Sequence, residues 1–517
     1  MGIPSYFSFI IKNYKNIVRN HEDIPNIDHL CMDCNSIIYD SFYEIEATYK
    51  KSQNQDIIRD IESILIQSVI RKIELLISEI SPKKTVFITF DGVAPFAKMN
   101  QQRKRRYKSS FMANIQNSFF SSSITSSQPK IWNTTAITPG TPFMNKLSEE
   151  IYRHFNSANT LYDKIQISCS DQCGEGEHKI FQWIRDTILK DDIVSIYGLD
   201  SDLIMLSIFH KQYTDNIYVF REAPEFRSVL ESATEKGKEK QKLFIDINKL
   251  SQCIFSEMGT GIQYDFRRVY DYIFICFLLG NDFLPHIISL NIRTIGIQVI
   301  LDTYKQIIGK YPDRSLIHPH SKEILWKYVG YFISELAKKE HSNLIQEHTM
   351  RDKFDRRVFP SNTQKEKEDL IENIPIIYRV EEKFICPEEK GWESRYYQSL
   401  FDIESTQSEI YSICENYIEG LAWIFQYYTQ GSKNNQWKYN YHYAPLLVDL
   451  KKYIGKVELK SVYEEKPICS NEEQLKYVIP PDIYYDLFPS SEKKPDPVNY
   501  SLKWAYCRYL WEAHPIL

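Results

Sequence analysis

The chain has 517 residues, 43% of them hydrophobic and 25% charged, and a formal net charge of -5, enough for two or three domains with substantial cores. No apolar run approaches the roughly 18 residues of a membrane span, and the early SYFSFII is cut by Lys12 and Asn13, too short for a signal-peptide core. Tyr6 stands where N-myristoylation needs Ser or Thr, so a folded soluble protein is expected, its ten cysteines reduced.

Three short, β-prone runs each end in an aspartate and a turn: HLCMDCNSIIYD, KTVFITFDGVAP and DIVSIYGLDSDLIMLS. They predict strands of one α/β sheet. Between the first two, Asp56 to Ile80 carries Ile57, Ile61, Ile64, Leu65, Ile73, Leu76 and Ile77 at helical spacing, the crossover that parallel strands need. Such crossovers put ligand sites at strand C-terminal ends. The serine-rich Asn117 to Lys130 and the charged Glu231 to Lys242 predict solvated insertions. A polar region from Lys338 to Glu372 precedes a second, aromatic-rich section and marks the main boundary. Cys31 and Cys34 form a CxxC and Cys169 and Cys173 a CxxxC, but no His-x-His partner completes a structural zinc set.

The chemistry lies in the acids. Asp33 and Asp91 each follow a predicted strand, Glu175 and Glu177 come from CGEGEHKIFQWI, Asp200 and Asp202 from GLDSDLIML, and Asp282 from FLLGNDFLPH. In extended backbone two residues two apart face the same way, so each such pair can aim both carboxylates into one space. The glycines beside the glutamates allow close backbone approach before a helix. Seven converging carboxylates repel one another and drive some pKa values up. Mg²⁺ or Mn²⁺ removes that problem, and two such ions about 3.5 to 4 Å apart clamp the attacking and leaving oxygens of phosphodiester hydrolysis. A single acid after a strand is as readily a helix cap or a solvated turn. Seven in repeated strand-end contexts are not explained that way. GEGEHK lacks the third glycine of a dinucleotide loop, and no Walker lysine loop is present.

AKMNQQRKRRYKSS, Ala97 to Ser110, has six basic residues and no acid. Helical spacing puts Lys98, Gln102, Arg105 and Arg106 near one face, where a guanidinium fork and an ammonium can hold a terminal phosphate. The plainer reading is a solvated charged helix or a general backbone contact.

MGIPSYF, DCNSIIY, DGVAPFAKMNQQRKRRY, ITPGTPFM, GEGEHKIFQWIR, YGLDSDLIMLS, FLLGNDFLPH, ENYIEGLAWIFQYY and YNYHYAP, in that order, resemble the 5'-3' exoribonuclease (Xrn) family. The resemblance covers residues 1 to about 292 and about 390 to 486. It implies a PIN/FEN-like α/β nuclease core with a mainly parallel sheet flanked by helices, and a mostly helical second conserved region packed on it. The corresponding division is a core at 1–310, a divergent helical segment at 311–389 and a closing region at 390–517. The implied activity is processive hydrolysis of single-stranded, 5'-monophosphorylated RNA to 5'-mononucleotides, in RNA decay. Position by position, the family's metal-site acids fall on Asp33, Asp91, Glu175, Glu177, Asp200, Asp202 and Asp282, for two Mg²⁺ ions with Mn²⁺ as substitute. Its 5'-phosphate pocket falls on Lys98, Gln102, Arg105 and Arg106.

Two positions depart from the family pattern. Tyr39 stands where the family usually has a base-stacking histidine, and a tyrosine still offers a ring face. The paired tryptophans before YHYAP are here Asn435 and Trp437, which leaves Trp437 as stacker or as a buried structural ring. No cysteine and histidine cluster matches the zinc knuckle of the nuclear members, so a cytoplasmic location is expected, with a monomer and decapping factors as partners; the further β-rich domains of the cytoplasmic members are a departure that this expectation does not explain. The competing readings are a FEN-like DNA or flap nuclease, which the second region disfavours, and an inactive RNA-binding scaffold, which the retained acids disfavour.

Overall fold

The computed structural model describes residues 2–3, 5–24, 26–52, 55–120, 131–156, 165–222, 242–259, 261, 263–489, 493–496, 498 and 500–517. Seven strands form one sheet: β1 (Val18–Arg19), β2 (His29–Asp33), β3 (Thr85–Thr89), β4 (Ile165–Ser168), β5 (Ile193–Tyr197), β6 (Asn216–Glu222) and β7 (Lys242–Asp246). Their spatial order is β1-β7-β6-β5-β2-β3-β4. The five from β6 to β4 are parallel, while β7 pairs antiparallel with both β6 and β1. The three strands expected from sequence are thus β2, β3 and β5, adjacent at the sheet centre.

Helices α1 (Tyr6–Asn13), α2 (Asn35–Ser52), α3 (Gln55–Arg59), α4 (Ile61–Ile80), α5 (Phe96–Phe120), α6 (Pro142–Phe155), α7 (Gly176–Thr187) and α8 (Asp202–His210) belong to this half of the chain. The expected 56–80 crossover is divided at Asp60 into α3 and α4. The first part of the expected 117–130 insertion continues α5; residues 121–130 and most of 231–242 lie outside the described residues.

The central strands β2, β3 and β5 are almost wholly buried because both their faces are covered. Side chains alternate between two cores. Cys31, Phe87, Val194, Ile196, Ile217 and Val219 face one, with α7 and α8. Leu30, Met32, Val86, Ile88, Tyr197 and Phe220 face the other, with α2, α4 and α6. The first core runs without interruption into Tyr417, Leu421, Trp423, Trp437 and Leu447. The aromatic-rich region is therefore packed against the α7 and α8 side of the sheet.

The polar stretch from Lys338 is, in its first half, part of a long helix, Trp326–Asp355. Three of its charges, Glu340, Glu347 and Arg351, are buried. Glu340 accepts the backbone N–H groups of Leu447 and Val448 at 2.7 and 3.0 Å, the first residues of helix Leu447–Tyr453, where helix ends favour an acceptor. Arg351 donates twice to Glu382, at 2.8 and 2.6 Å, Arg379 donates to the same carboxylate, and Tyr506 N–H reaches it at 2.8 Å. This set anchors residues 500–517, whose strands β8 (Ser501–Lys503) and β9 (His514–Ile516) pair antiparallel. Glu382→Gln leaves two buried guanidinium groups short of a counter-charge. It is expected to cost about 3–5 kcal/mol in urea unfolding; a loss under 1 kcal/mol would show the pair to be dispensable. Among the described residues, no helix is long and apolar enough to cross a membrane.

Candidate active site

The carboxylates meet at the C-terminal edge of the parallel strands. Asp33 is the last residue of β2, Asp91 follows β3, Glu175 is the N-cap of α7, Glu177 lies in its first turn, Asp200 falls between β5 and α8, and Asp202 is the first residue of α8. Strand order reverses around β2, with β3 on one side and β5 on the other. The crevice such a reversal opens is where α/β sheets bind ligands.

Backbone geometry brings the acids together. Asp91 Oδ1 accepts Gly176 N–H at 2.7 Å, which joins the end of β3 to the start of α7. A Cβ on Gly176 would lie 2.7 Å from Asp33 Oδ1, so only glycine lets α7 start this close to β2. Gly2, with φ +54°, brings the N-terminal segment in from the other side; a Cβ there would meet Asp202 Oδ1 at 2.1 Å.

Lys98, near the start of α5, sits inside the cluster. Its Nζ lies 2.5 Å from Glu175 Oε2 and 2.9 Å from Asp282 Oδ2. Burial alone would lower its pKa, but Glu175 and Asp282 hold the ammonium charged, well above the usual lysine range. One lysine does not balance seven acids. Burial first, and then the Asp91 and Asp200 charges, push Asp33 well above the carboxylate range. Burial likewise raises Glu175 and Glu177, and takes Asp202 up to about 7. Asp200 and Asp282 are held low against burial by nearby positive charge that includes Lys98.

Asp33 Oδ1, Glu177 Oε2 and Asp202 Oδ1 are buried and have no hydrogen-bond partner among the described residues. Buried carboxylate oxygens left bare, beside others raised by crowding, fit hard divalent cations with oxygen ligands. Glu175, Glu177 and His178 offer ligand atoms within 4.8 Å of one another.

A pH dependence follows for the metal-free protein. Asp202 sits above its unfolded value of about 4, at about 7, so between those values the native state binds more protons and stability falls as pH rises. A bound cation removes that penalty. The gap in melting temperature between Mg²⁺-loaded and EDTA-treated protein is expected to widen from pH 5.5 to pH 8; a constant gap would dissociate the raised carboxyls from the cation.

The structure places the basic-helix residues in different surroundings. Lys98 is among the carboxylates, as above. Gln102 is buried, its Oε1 without a partner among the described residues, and Arg105 is exposed. Arg106 donates to Thr138 Oγ1 and, at 3.4 Å, to Ile137 O, both from ITPGTPFM. Burial brings its guanidinium down to about 10. Tyr39, on α2, is half-buried and near enough to Arg106 for its hydroxyl to act on that charge. Trp437 is 6% exposed and stacks on Trp423 at 5.1 Å, a core position.

Sequence reasoning missed four contributors. Asn35 bonds Asp91 twice, Nδ2 to Oδ2 at 2.5 Å and Asp91 N–H to its Oδ1 at 3.0 Å. Tyr427 OH donates to Glu175 Oε1 at 2.6 Å, and Tyr428 hydrogen-bonds Asp202. His178 stacks on Tyr427 with centroids 3.6 Å apart, and burial, with Lys98 nearby, keeps its imidazole neutral. Trp437, Trp423, Tyr427 and His178 form one stack of four rings. All four contributors lie in DCNSIIY, GEGEHK or IFQYY; nothing in their spacing marks them.

Residues 1–223 match the family model described as XRN 5'-3' exonuclease N-terminus, and residues 263–387 and 381–491 match that described as Xrn1 helical domain. The chain is 25% identical to 5'-3' exoribonuclease 2 of Debaryomyces hansenii over 93% of this chain and 64% of that protein. It is 24% identical to 5'-3' exoribonuclease 1 of Schizosaccharomyces pombe over 100% and 47%, and 26% identical to human 5'-3' exoribonuclease 1 over 87% and 29%. It therefore spans less than two thirds of the length of each of these relatives.

Proposed function

The chain belongs to the XRN 5'-3' exonuclease family, and on that premise we propose that it degrades single-stranded RNA from a 5'-monophosphate, processively, to 5'-mononucleotides in RNA decay. The observation that carries the reading is the set of six carboxylates at the strand ends, joined by Asp282 through Lys98, three of them with buried oxygens that no described residue bonds, beside a basic helix. Relatives named 5'-3' exoribonuclease support the direction and the substrate class.

Asp33, Asp91, Glu175, Glu177, Asp200, Asp202 and Asp282 would hold two divalent cations, Mg²⁺ or Mn²⁺. Bound there, the cations would supply charge neutralisation at the scissile phosphate and would polarise the attacking and leaving oxygens. Asn35 and Tyr427 orient Asp91 and Glu175, so those two oxygens are aimed before substrate arrives. Gln102, Arg105 and Arg106 would receive the 5'-phosphate, Arg106 being held in place by Thr138. Tyr39 offers a ring to the terminal bases, and Trp437 backs the ring stack that ends on His178. A terminal phosphate gripped this way gives direction, and bulk excludes a cap or triphosphate.

The test is hydrolysis of a 5'-labelled RNA bearing a monophosphate or a hydroxyl, with Mg²⁺, beside the matching DNA. Labelled mononucleotide from the monophosphorylated RNA alone is the expected result. Equal attack on both ends would remove the phosphate pocket, and equal attack on DNA would favour the flap-nuclease reading.

A further inference from the structure

We propose that Lys179 and Arg221 are positioning residues of the carboxylate site: each pins the backbone carbonyl immediately before one of its aspartates and so aims that carboxylate at a divalent cation. The proposal rests on the two-cation reading above. It adds two residues that belong neither to the acids nor to the basic helix nor to the ring stack.

The strands end just short of these aspartates. β3 closes at Thr89 and β5 at Tyr197, which leaves Phe90 and Leu199, the residues preceding Asp91 and Asp200, outside them. A recessed carbonyl there takes its donor from elsewhere. Lys179 Nζ donates to Phe90 O at 2.8 Å and to Cys169 O, just past the end of β4, at 2.7 Å. Arg221 Nη1, on β6 beside β5, donates to Leu199 O at 2.6 Å. A neutral form of the same contact precedes Asp33, where Thr89 Oγ1 donates to Met32 O at 2.9 Å.

Because the peptide unit is planar, holding the oxygen of one residue fixes the plane that carries the nitrogen of the next, and so limits the directions open to the aspartate side chain. Lys179 follows Glu175 by one turn of α7, its N–H donating to Glu175 O at 3.0 Å. Helical side chains lean toward the N-terminus, so its ammonium reaches back beneath the turn that carries Glu175 and Glu177 and ties it to the ends of β3 and β4. At the same junction Gly92 N–H donates to Gly174 O at 2.8 Å. Arg221 lies 4.2 Å from the centre of the Phe7 ring, which joins the Asp200 loop to α1, and its Nε is buried without a partner among the described residues. Burial lowers both cations, and against it the first charge that acts is Asp91 on Lys179 and Asp200 on Arg221. Each cation therefore stands near the acid whose preceding carbonyl it holds, while these hydrogen bonds run to backbone. Lys98 differs, since it bonds the carboxylates Glu175 and Asp282 directly. Charge placed behind the acids steadies them without taking a coordination position.

The experiment measures Mn²⁺ binding by loss of the free-ion EPR signal, which needs no turnover, and beside it the Mg²⁺ dependence of hydrolysis of 5'-monophosphorylated RNA. Wild type is compared with Lys179→Met, Arg221→Met, Lys179→Arg and Arg221→Lys, each below its melting temperature in EDTA. Both methionine variants are expected to bind Mn²⁺ about tenfold more weakly or worse, the usual cost of losing a group that orients a metal ligand. The Mg²⁺ concentration for half-maximal hydrolysis should rise by the same factor, with KM for the RNA unchanged at saturating Mg²⁺. Lys179→Arg and Arg221→Lys keep a cationic donor and should recover most of the Mn²⁺ affinity. Mn²⁺ affinity at the wild-type level in both methionine variants, whatever their melting temperatures, would overturn the proposal and leave the two residues a role in folding alone. So would arginine and lysine variants as weak as the methionine ones. Should a methionine variant fail to fold, the glutamine variant at that position, polar but uncharged and shorter, carries the same test. If wild type failed to hydrolyse RNA while the Mn²⁺ differences held, the exoribonuclease reading would fall and these two roles would stand.

Discussion

Hydrolysis of 5'-monophosphorylated RNA falls by about 10³-fold or more when Asp200 and Asp202 are both replaced by asparagine. That is about 4 kcal/mol of transition-state stabilisation. Both residues follow β5 and face the carboxylates of β2 and α7 across the crevice. Asparagine keeps the shape and removes the charge that would hold a cation. Binding of the same RNA in EDTA should persist, because the basic helix is untouched. A second readout separates chemistry from folding. Asp202 is an acid raised by crowding, so Asp202→Asn alone relieves repulsion and should leave the metal-free protein at least as stable at pH 8. Release of labelled mononucleotide at the wild-type rate by the double variant would remove these carboxylates from catalysis.

Lys98→Met has the next largest effect, and on two measurements. Its ammonium is the ion-pair partner of both Glu175 and Asp282, with 11% of its side chain exposed. Removing one partner of a buried pair typically costs about 3–5 kcal/mol, and that loss is expected in urea unfolding at pH 8 with EDTA. Because Lys98 stays charged well above pH 8 while the carboxyls around it are raised, the deficit should shrink at pH 5, where they take up protons. It should shrink again with Mg²⁺. Hydrolysis should fall by about 10²-fold, the usual loss for one preorganised donor in such a site. A variant as stable as wild type in EDTA would show that Lys98 does not neutralise the cluster. Helical spacing groups Lys98 with Gln102, Arg105 and Arg106, and its ammonium reaches Glu175 and Asp282. Spacing gives the face of a helix and not how far a four-carbon stem reaches along it.

Much of the site was legible because its signals are local. Short apolar, β-prone runs that end in aspartate predicted β2, β3 and β5, and those strands lead to Asp33, Asp91 and Asp200. Helical spacing predicted the crossover, missing only the break at Asp60. The ordered motifs identified the family, which residues 1–223 and 263–491 bear out.

What only the tertiary structure decided depends on partners far apart in the chain. Tyr427 reaches Glu175 from 252 residues away, and Lys108 meets Ala513 from 405. Within the polar run after Lys338, Glu340 and Arg351 are buried, because Glu340 caps a helix at Leu447 and Arg351 meets Glu382. Periodicity records which side of an element is apolar and carries no information about which distant donor or acceptor will satisfy a buried charge. Strand ends, acids and the basic helix were therefore determined by the sequence alone. The pairing of those charges and the burial of Trp437 were settled by packing.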